Sequence, residues 1–470
     1  MAKLTKIQKA LNTLKEEDLI CLQHLYLYRI LTVKQIMQNI YKLRENQTRK
    51  RNAILRRLLD LDVVEMVEYK PEQHALELTS TGVNIVRKTK DIPTEIFDED
   101  AKTVKRGYYT AGELKMKTNL MNHQLTKNNF MLKFQQLVAS SEFKKWCKKW
   151  HLNFKYQYFD EKYLTTYVLM RPDSVFHVGN TDFFVEEDMA TESAAQLKDK
   201  WRHYREFMQT REFYMKENKI VVLFLTDNIL KQKSIDKRKA LVRETALKIM
   251  GDKFKNQFDM IIGSQDEIIS IMPDLIADAC NLNDRKLQLI NDLQKHHWQI
   301  TDAYSVNQYF NNEDYWLYIR QLDQQNNLIR SNFRYREFLI DDYYHRPMAI
   351  QHRIMWHDHN NIIFQNRFKR PLQYIVLIDP AEEEMTLKDV QQANAQFDSN
   401  VFYSTYWRLQ NLPLNSALFQ WDHRGKMYCF TDDELVKRDY NIVDPQSEFS
   451  KSEIKSDKKE NEIKDYKHKK

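Results

Sequence analysis

Three carboxylates and one lysine near the middle of the sequence have the types and spacing of a site that could hydrolyse a phosphodiester. Asp173 lies in one extended segment, and Glu186 and Asp188 lie at the end of the next. Carboxylate oxygens are ligands that Mg²⁺ prefers, and bound Mg²⁺ can activate water against a phosphodiester. Lys200, on the helix that follows, would approach these carboxylates from that helix. The four residues are therefore the candidate catalytic set, and the three carboxylates would hold Mg²⁺ if the site is active.

A second set of residues has the pattern of a DNA contact. At 100° per residue, the third predicted helix separates a cationic arc from an apolar one. The basic residues on the first arc are Arg49, Lys50, Arg56 and Arg57. The apolar residues on the other arc are Ile54, Leu55, Leu58 and Leu59. Such a helix fits the major groove of DNA, while Lys70 and His74 on the following hairpin would reach the flanking backbone or minor groove. A basic helix that contacts protein is the alternative interpretation.

The elements that must position the basic helix form a recognisable series. Apolar residues at helical spacing predict a helix over 16–31, Thr32 can cap a second helix over 33–41, and Asn46 can cap the third, which runs to about Leu61. Alternating residues predict strands over 64–69 and 75–79, joined by a turn that contains Pro71. This order predicts a winged helix-turn-helix domain over residues 1–90.

The acidic set requires a different arrangement. After an acidic, proline-containing linker over 91–112, the patterns predict a helix-rich stretch to about 150 and extended segments around 154–158, 167–178 and 181–187. A helix over 193–209 and a buried strand over 220–225 complete an α/β domain over 113–275. The predicted order is αβββαβ, which would place the carboxylates at one edge of the sheet.

The remainder of the chain is less specific. Residues 281–445 are predicted to form another α/β domain, with strands over 374–379 and 401–406 and a helix over 387–397, but no motif there assigns a reaction. His345, His352, His357 and His359 form a local group that would be either a metal site on a strand or a polar surface hairpin. Residues 446–470 are predicted to be a disordered, charged tail. The expected fold class is thus α/β multidomain.

The acidic segment resembles the restriction-endonuclease-like motif PD-(D/E)xK in both its residues and its predicted αβββαβ order. The position two residues after Glu186, which is lysine in that motif, is Asp188 here. The resemblance therefore implies an active enzyme only if a lysine has moved to the helix, and Lys200 is the candidate. A site that has lost its chemistry is the other interpretation, which the sequence favours.

Several stretches together resemble the replication-relaxation family of bacterial mobile elements. They are Asn122 to Leu125, Arg171 to Phe176, Phe183 to Ser193, and Lys200 with Tyr204. The likeness covers roughly residues 15–245, and it departs at Met189 and Ala190, where the family usually has Arg and Gly. The resemblance implies a protein of a plasmid or conjugative element that supports plasmid replication or relaxation of its DNA, with a relaxase or replication proteins as partners.

Composition limits the remaining classes of protein. The chain has 470 residues, of which 42% are hydrophobic, so two or three folded domains are expected. Its net charge of +7 is too small to identify a partner. The four cysteines form no Cys-x-x-Cys pair, and no apolar run is long enough to span a bilayer, so we expect a cytoplasmic protein without membrane contact.

These observations favour a non-catalytic accessory protein that binds double-stranded DNA at an origin-like site. A Mg²⁺-dependent endonuclease and a transcriptional regulator are the two alternatives.

Overall fold

The protein is described by a computed structural model. It covers residues 5–98, 103–140, 163–164, 169–170, 172–190, 192–214, 218–226, 232–255, 257–280, 285–301, 304–310, 315–331, 334–343, 346–378, 400–412, 417–421, 427–431 and 434–437. The chain divides into two compact units. The first comprises 1–196, 209–239 and 262–280, and the second comprises 197–208, 240–261 and 281–470. The division passes through two helices and one strand, so neither unit is a continuous segment.

The N-terminal part of the first unit contains five helices and a small sheet among its described residues. The helices are α1 (Lys6–Thr13), α2 (Glu16–Tyr28), α3 (Val33–Gln35), α4 (Thr48–Asp60) and α5 (Ser80–Thr89). The strands are β1 (Ile30–Thr32), β2 (Val64–Lys70) and β3 (Gln73–Leu78). Helix α3 continues into a π-helical turn, Ile36–Ile40, and the sheet has the antiparallel order β1-β3-β2.

Local chemistry explains where these elements begin. The Thr32 side chain accepts a hydrogen bond from the amide of Gln35, and the Gln35 side chain accepts one from the amide of Thr32, which together cap α3. Thr79 caps α5 by accepting from the amide of Gly82. A Cβ atom at Gly82 would lie 2.1 Å from the Val63 carbonyl oxygen, so only glycine permits this approach of α5 to the sheet.

The segment predicted to be a linker contains regular structure. Strands β4 (Glu95–Asp98) and β5 (Thr103–Arg106) form an antiparallel hairpin, and the short helix α6 (Ala111–Leu114) follows. Helix α7 (Thr118–Ala139) then packs against the small sheet, where its Met121 and Leu125 join Ile30 and Ala75 in one apolar cluster. Residues 1–196 belong to one compact unit, so the boundary between the two units does not lie at the predicted linker.

A four-stranded sheet follows, with the order β11-β10-β9-β8. Its strands are β8 (Ser174–Val178), β9 (Thr181–Glu187), β10 (Lys219–Leu225) and β11 (Phe258–Gly263), preceded by the short strands β6 (Tyr163–Leu164) and β7 (Leu169–Met170). The helices are Ala194–Phe207, Arg211–Tyr214, Gln232–Met250 and Gln265–Ala279, with a 3₁₀ turn at Gly251–Lys253. Every residue of β9 is buried, as expected of a strand covered on both faces.

The second unit is built on an eight-stranded sheet with the order β12-β13-β16-β17-β18-β19-β20-β21. Its strands are β12 (Gln299–Thr301), β13 (Leu317–Arg320), β16 (Glu337–Asp342), β17 (Gln373–Leu377), β18 (Val401–Ser404), β19 (Phe419–Trp421), β20 (Met427–Thr431) and β21 (Glu434–Lys437). A separate hairpin consists of β14 (Arg330–Ser331) and β15 (Arg334–Tyr335). The helices are Arg285–Lys295, Tyr304–Asn307, Pro347–Phe368 and Tyr406–Asn411, with a 3₁₀ turn at Gln308–Phe310.

Strand β17 shows why this unit has a continuous apolar strand rather than an alternating one. Tyr374 and Val376 belong to the core on one face of the sheet, and Ile375 and Leu377 belong to the core on the other. A strand between two apolar cores has no polar face, and this explains the apolar run from 374. The sequence analysis placed this strand correctly.

The two units arrange their strands in the same way. In the first, β8 pairs antiparallel with β9, β9 pairs parallel with β10, and the amide of Thr226 donates to Gly263 O at the end of β11. In the second, β13 pairs antiparallel with β16, β16 and β17 are parallel, and the amide of Ile378 donates to Ser404 O at the end of β18. The strands β9 and β16, which occupy the same place in the two orders, both end in two acidic residues. The common order indicates one architecture used twice.

Two sequence-based predictions need correction, and four others fall outside the described residues. Helix α4 begins at Thr48 after Gln47, so Asn46 is not its cap. His357 and His359 lie on the helix Pro347–Phe368 and not on a strand or hairpin; two residues apart on a helix, they face different directions, and His357 is buried while His359 is exposed. His345, the extended segment at 154–158, the helix at 387–397 and the tail at 446–470 lie outside the described residues.

None of the helices in the described part of the chain combines the length and the apolar character needed to cross a membrane.

Candidate nucleic-acid interface

Helix α4 presents a row of cations at the surface. Arg49, Lys50, Arg51 and Arg56 are all exposed. Among the described residues, none of the four forms a salt bridge with a carboxylate. Leu58 is fully buried in the core and lies on the side of the helix opposite Arg49 and Arg56. Arg51, seven positions before Leu58, lies on the same side as Leu58 at the exposed start of the helix. The amphipathic pattern predicted from the sequence therefore corresponds to one packed and one exposed side.

Arg57 differs from the other cations of this helix. Its guanidinium donates from Nε to Asp18 Oδ2 at 2.8 Å and from Nη2 to Asp18 Oδ1 at 2.7 Å. Asp18 has a fully buried side chain on α2 and also accepts from the Tyr41 hydroxyl at 2.6 Å and the Lys15 amide at 2.8 Å. The prediction that Arg57 contacts DNA needs correction, because its guanidinium is used to join α4 to α2.

This pairing explains the ionisation of Asp18. Burial by itself raises the pKa of a carboxyl, but the hydrogen bonds from Arg57, Tyr41 and the Lys15 amide outweigh burial and lower the pKa of Asp18 below its usual value. The same hydrogen bond to Asp18 raises the pKa of Arg57. Both groups are therefore charged at neutral pH.

The hairpin β2–β3 supplies the second part of the interface. Lys70 and His74 are exposed at its tip, where Pro71 and Glu72 form the turn and Glu72 has a positive φ of 61°. Within the ladder, Glu68 pairs with His74. Both predicted wing residues thus lie where the sequence analysis placed them.

A groove with a volume of about 760 Å³ separates α4 from this hairpin. Its lining includes Arg51, Asn52 and Leu55 of α4 and Met66, Tyr69 and His74 of the hairpin. Residues of α3 and of the connection to α4 close it on another side, including Lys34, Met37, Leu43 and Arg44. The lining of the groove thus combines apolar side chains with cationic, acidic and amide groups.

Helix α7 fixes the position of these elements within the first unit. The Asn128 side chain is fully buried and donates to Tyr28 O at 3.0 Å and Ile30 O at 2.6 Å. Gln124 donates to Tyr28 O at 3.2 Å and to the Asn128 side chain at 3.0 Å. These bonds satisfy the carbonyl groups at the junction of α2 and β1, where the helix ends and no intrahelical partner exists.

The opposite flank of α7 contacts the predicted acidic site. His123 lies 3.2 Å from the Asp173 carboxylate, which also accepts from the Glu187 amide at 2.9 Å. Lys127 is buried and donates to Asp173 O. Burial alone would lower the pKa of His123, but Asp173 outweighs it and raises that pKa. Conversely, His123 and Lys127 lower the pKa of Asp173 against the effect of burial.

The other predicted carboxylates have different surroundings. Asp188 accepts two hydrogen bonds from Arg238, at 2.6 and 2.8 Å, and its Oδ1 also accepts from the Ala190 amide at 2.9 Å. Glu186 is buried on β9, in register with Phe224 of β10. Lys200 is half-buried on the helix Ala194–Phe207, in a part that belongs to the second unit. Its approach to the carboxylates stays a prediction.

These surroundings do not fit a metal ion. Across the residues that the structure describes, no three His, Cys, Asp or Glu side chains are placed to hold one. Asp188 directs both carboxylate oxygens at Arg238, and Asp173 is engaged by His123 and a backbone amide. A Mg²⁺ ion would have to displace these partners, so we derive no catalytic step from it.

Comparison with protein families gives one match, and it covers the part of the chain that contains these sites. Residues 22–223 match the model of a family described as replication-relaxation. The chain is therefore similar to this family over these residues. Comparison with curated proteins and with solved structures gives no match.

The matched segment contains both candidate sites. It includes α4, the β2–β3 hairpin, α7 and all three predicted carboxylates, and it ends within β10. Lys34, Arg44, Arg51 and Asn52 also line the groove and were not predicted from the sequence. Arg51 and Asn52 are basic and amide residues near the start of α4, whereas Lys34 lies on α3 and Arg44 on the connection to α4, so only the fold shows that the four share a groove.

Proposed function

We propose that residues 1–90 form a winged helix-turn-helix that binds double-stranded DNA. The observation that supports this most directly is the row of exposed cations on α4, which have no carboxylate partner among the described residues. A helix of this kind fits the major groove, where arginine and lysine can contact guanine or phosphates. Arg49, Lys50 and Arg56 are the proposed contacts on the helix, and Lys70 and His74 are those on the wing.

The arrangement of the small sheet supports the same proposal. In winged-helix proteins one helix enters the major groove while the hairpin lies beside it on the flanking DNA. Here residues of α4 and of the β2–β3 hairpin line the two sides of one groove, which supports the same arrangement. The exposed cations of α4, with Lys70 on the hairpin, also provide the electrostatic attraction on which duplex binding depends.

We further propose that the protein is a sequence-directed accessory factor of a plasmid or conjugative element. The similarity of residues 22–223 to the replication-relaxation family supports a role in the replication of such DNA or in its relaxation for transfer. An origin-like site would be its DNA target, and a relaxase or replication proteins would be its partners. The engaged carboxylates Asp173 and Asp188 support a non-catalytic role.

The strands β8, β9 and β10 with their flanking helices are proposed to be a restriction-endonuclease-like core. The antiparallel β8–β9 pair followed by the parallel β9–β10 pair agrees with the predicted αβββαβ order in the described part. In this proposal the core holds the DNA-binding part in place through α7 and does not cut DNA.

Measuring duplex affinity at several salt concentrations tests the DNA-binding proposal. Replacing Arg49, Lys50 and Arg56 with Gln removes three charges from α4, and the slope of log K against log salt should fall by about 0.9 for every phosphate that α4 no longer neutralises. The matched control replaces Lys9, Lys88 and Lys90, three exposed lysines on or next to α1 and α5, with Gln. Equal slopes for the two triple variants would contradict the assignment of α4.

A further inference from the structure

The groove between α4 and the β2–β3 hairpin has features that the proposed contacts do not use. Met66 on β2 remains 39% exposed, although it is a large apolar residue. It lies in the groove with Leu55 of α4, so the floor between two polar elements is apolar. Apolar side chains from α4 and from β2 therefore meet in this one groove.

The rim of the groove carries cations on two sides. Arg51 lies at the α4 side, and Arg44 lies on the connection that precedes α4. Within the described ranges neither guanidinium has a carboxylate partner. The nearby Glu45 is 3.2 Å from Lys34, which compensates its charge. Glu72 at the hairpin turn is the other acidic group of the lining. An anion would therefore be held near the two arginines rather than near the turn.

Duplex geometry indicates what this space would contain. The major and minor grooves of DNA are separated by a single sugar–phosphate strand. If α4 lies in the major groove and the hairpin reaches the adjacent minor groove, that strand must pass between them. The space between α4 and the hairpin is the groove of about 760 Å³. Such a strand alternates phosphates, which suit arginines, with deoxyribose, which suits an apolar floor.

We infer that this groove holds one sugar–phosphate strand of duplex DNA, with Arg44 and Arg51 contacting phosphates and Leu55 and Met66 packing against deoxyribose. The inference rests on the proposed DNA binding and adds to it a site for the backbone. Contacts of this kind position the protein on the duplex without reading its sequence. Arg44 and Arg51 would thus contribute equally to specific and nonspecific binding.

The experiment compares three variants of the full chain on one nonspecific 30-base-pair duplex, across a range of salt concentrations. Arg44→Gln and Arg51→Gln should each reduce the slope of log K against log salt by about 0.9, because each removes the cation that neutralises one phosphate. Met66→Gln should weaken binding about fivefold with an unchanged slope, because it removes apolar contact and no charge. Lys88→Gln, on α5 outside the groove, is the matched charge control.

The outcomes separate this inference from the proposal on which it rests. If the α4 triple variant shows a reduced salt dependence but Arg44→Gln and Arg51→Gln behave as Lys88→Gln does, DNA binding stands and the groove inference is wrong. If Met66→Gln binds as tightly as wild type, the apolar contact with deoxyribose is wrong. Absence of any duplex binding by the wild-type chain overturns both.

Discussion

Arg56 and Arg57 are adjacent on α4 and have the same chemistry, but their environments give them different roles. The Arg56 side chain is exposed, whereas the Arg57 side chain is only 21% exposed and pairs with the fully buried Asp18. A surface cation contributes little to stability, whereas breaking a buried pair leaves an uncompensated charge. Substitution of Arg56 should therefore affect DNA binding, whereas substitution of Arg57 should affect stability.

We expect Arg57→Ala to lower the free energy of unfolding by about 3 kcal/mol at pH 7, because Asp18 would remain buried without its main partner. Arg56→Ala should leave stability within about 0.5 kcal/mol and weaken duplex binding instead. Urea denaturation and duplex titration of both variants would measure the two effects. Equal losses of stability would show that the Arg57–Asp18 pair is not a structural contact.

The pH dependence of the same comparison has a definite sign. Because the folded-state pKa of Asp18 is lowered, its contribution to stability is present above its unfolded pKa of about 3.9 and is lost as pH falls through the lower folded value. Protonated Asp18 needs no cationic partner. The difference in stability between wild type and Arg57→Ala should therefore shrink as pH falls below about 4.

At the scale of elements, α7 connects parts of the first unit that the sequence analysis assigned to separate domains. One flank holds Tyr28 O and Ile30 O through Gln124 and Asn128, and the other carries His123 and Lys127 beside Asp173. Buried polar contacts of this kind are directional, so they fix the orientation of a helix as well as its proximity. The part proposed to bind DNA is thereby held against the sheet by specific bonds.

Replacing Asn128 with Leu tests this connection. Leucine has a similar size but cannot donate to Tyr28 O and Ile30 O, and buried carbonyl groups without partners should lower the free energy of unfolding by about 2 kcal/mol or more. The matched control is Asn119→Leu, at an exposed position near the start of the same helix. Thermal and urea unfolding measure both. Similar stability of the two variants would argue against α7 as a polar connection.

Elements with a periodic pattern of apolar residues could be predicted from the sequence. The role of a side chain could not be predicted where it depends on a partner that is distant along the chain. Helices α2 and α4 and the strand β9 follow directly from the spacing of their apolar residues. The role of Arg57 could not be predicted, because its partner Asp18 is 39 positions away. The histidines at 357 and 359 were misassigned because alternation in a short stretch does not distinguish a strand from a buried helix.

At the scale of the whole molecule, the two units place comparable acidic residues at the end of comparable strands. Glu187 is in register with Leu225 at the end of β9, and Asp342 is in register with Leu377 at the end of β16. In both units an arginine neutralises a nearby carboxylate. Asp188 accepts from Arg238, and Asp341 accepts from Arg346 at 2.6 Å and from Arg353. Arginine in these positions favours structural carboxylates over metal ligands.

This arrangement predicts that the protein does not cut DNA. Metal binding at Asp173 and Asp188 would require breaking the partly exposed ion pair with His123 and the buried ion pair with Arg238. Breaking the buried Arg238–Asp188 pair alone would cost about 3–5 kcal/mol. Supercoiled plasmid incubated with the full chain and Mg²⁺ or Mn²⁺ should therefore remain supercoiled, as judged by gel electrophoresis. A known Mg²⁺-dependent nuclease serves as the positive control, and Asp173→Ala serves as the matched variant. Nicking by the wild-type chain that needs the metal and disappears in Asp173→Ala would restore the endonuclease interpretation, and it would show that these pairs open when DNA is bound.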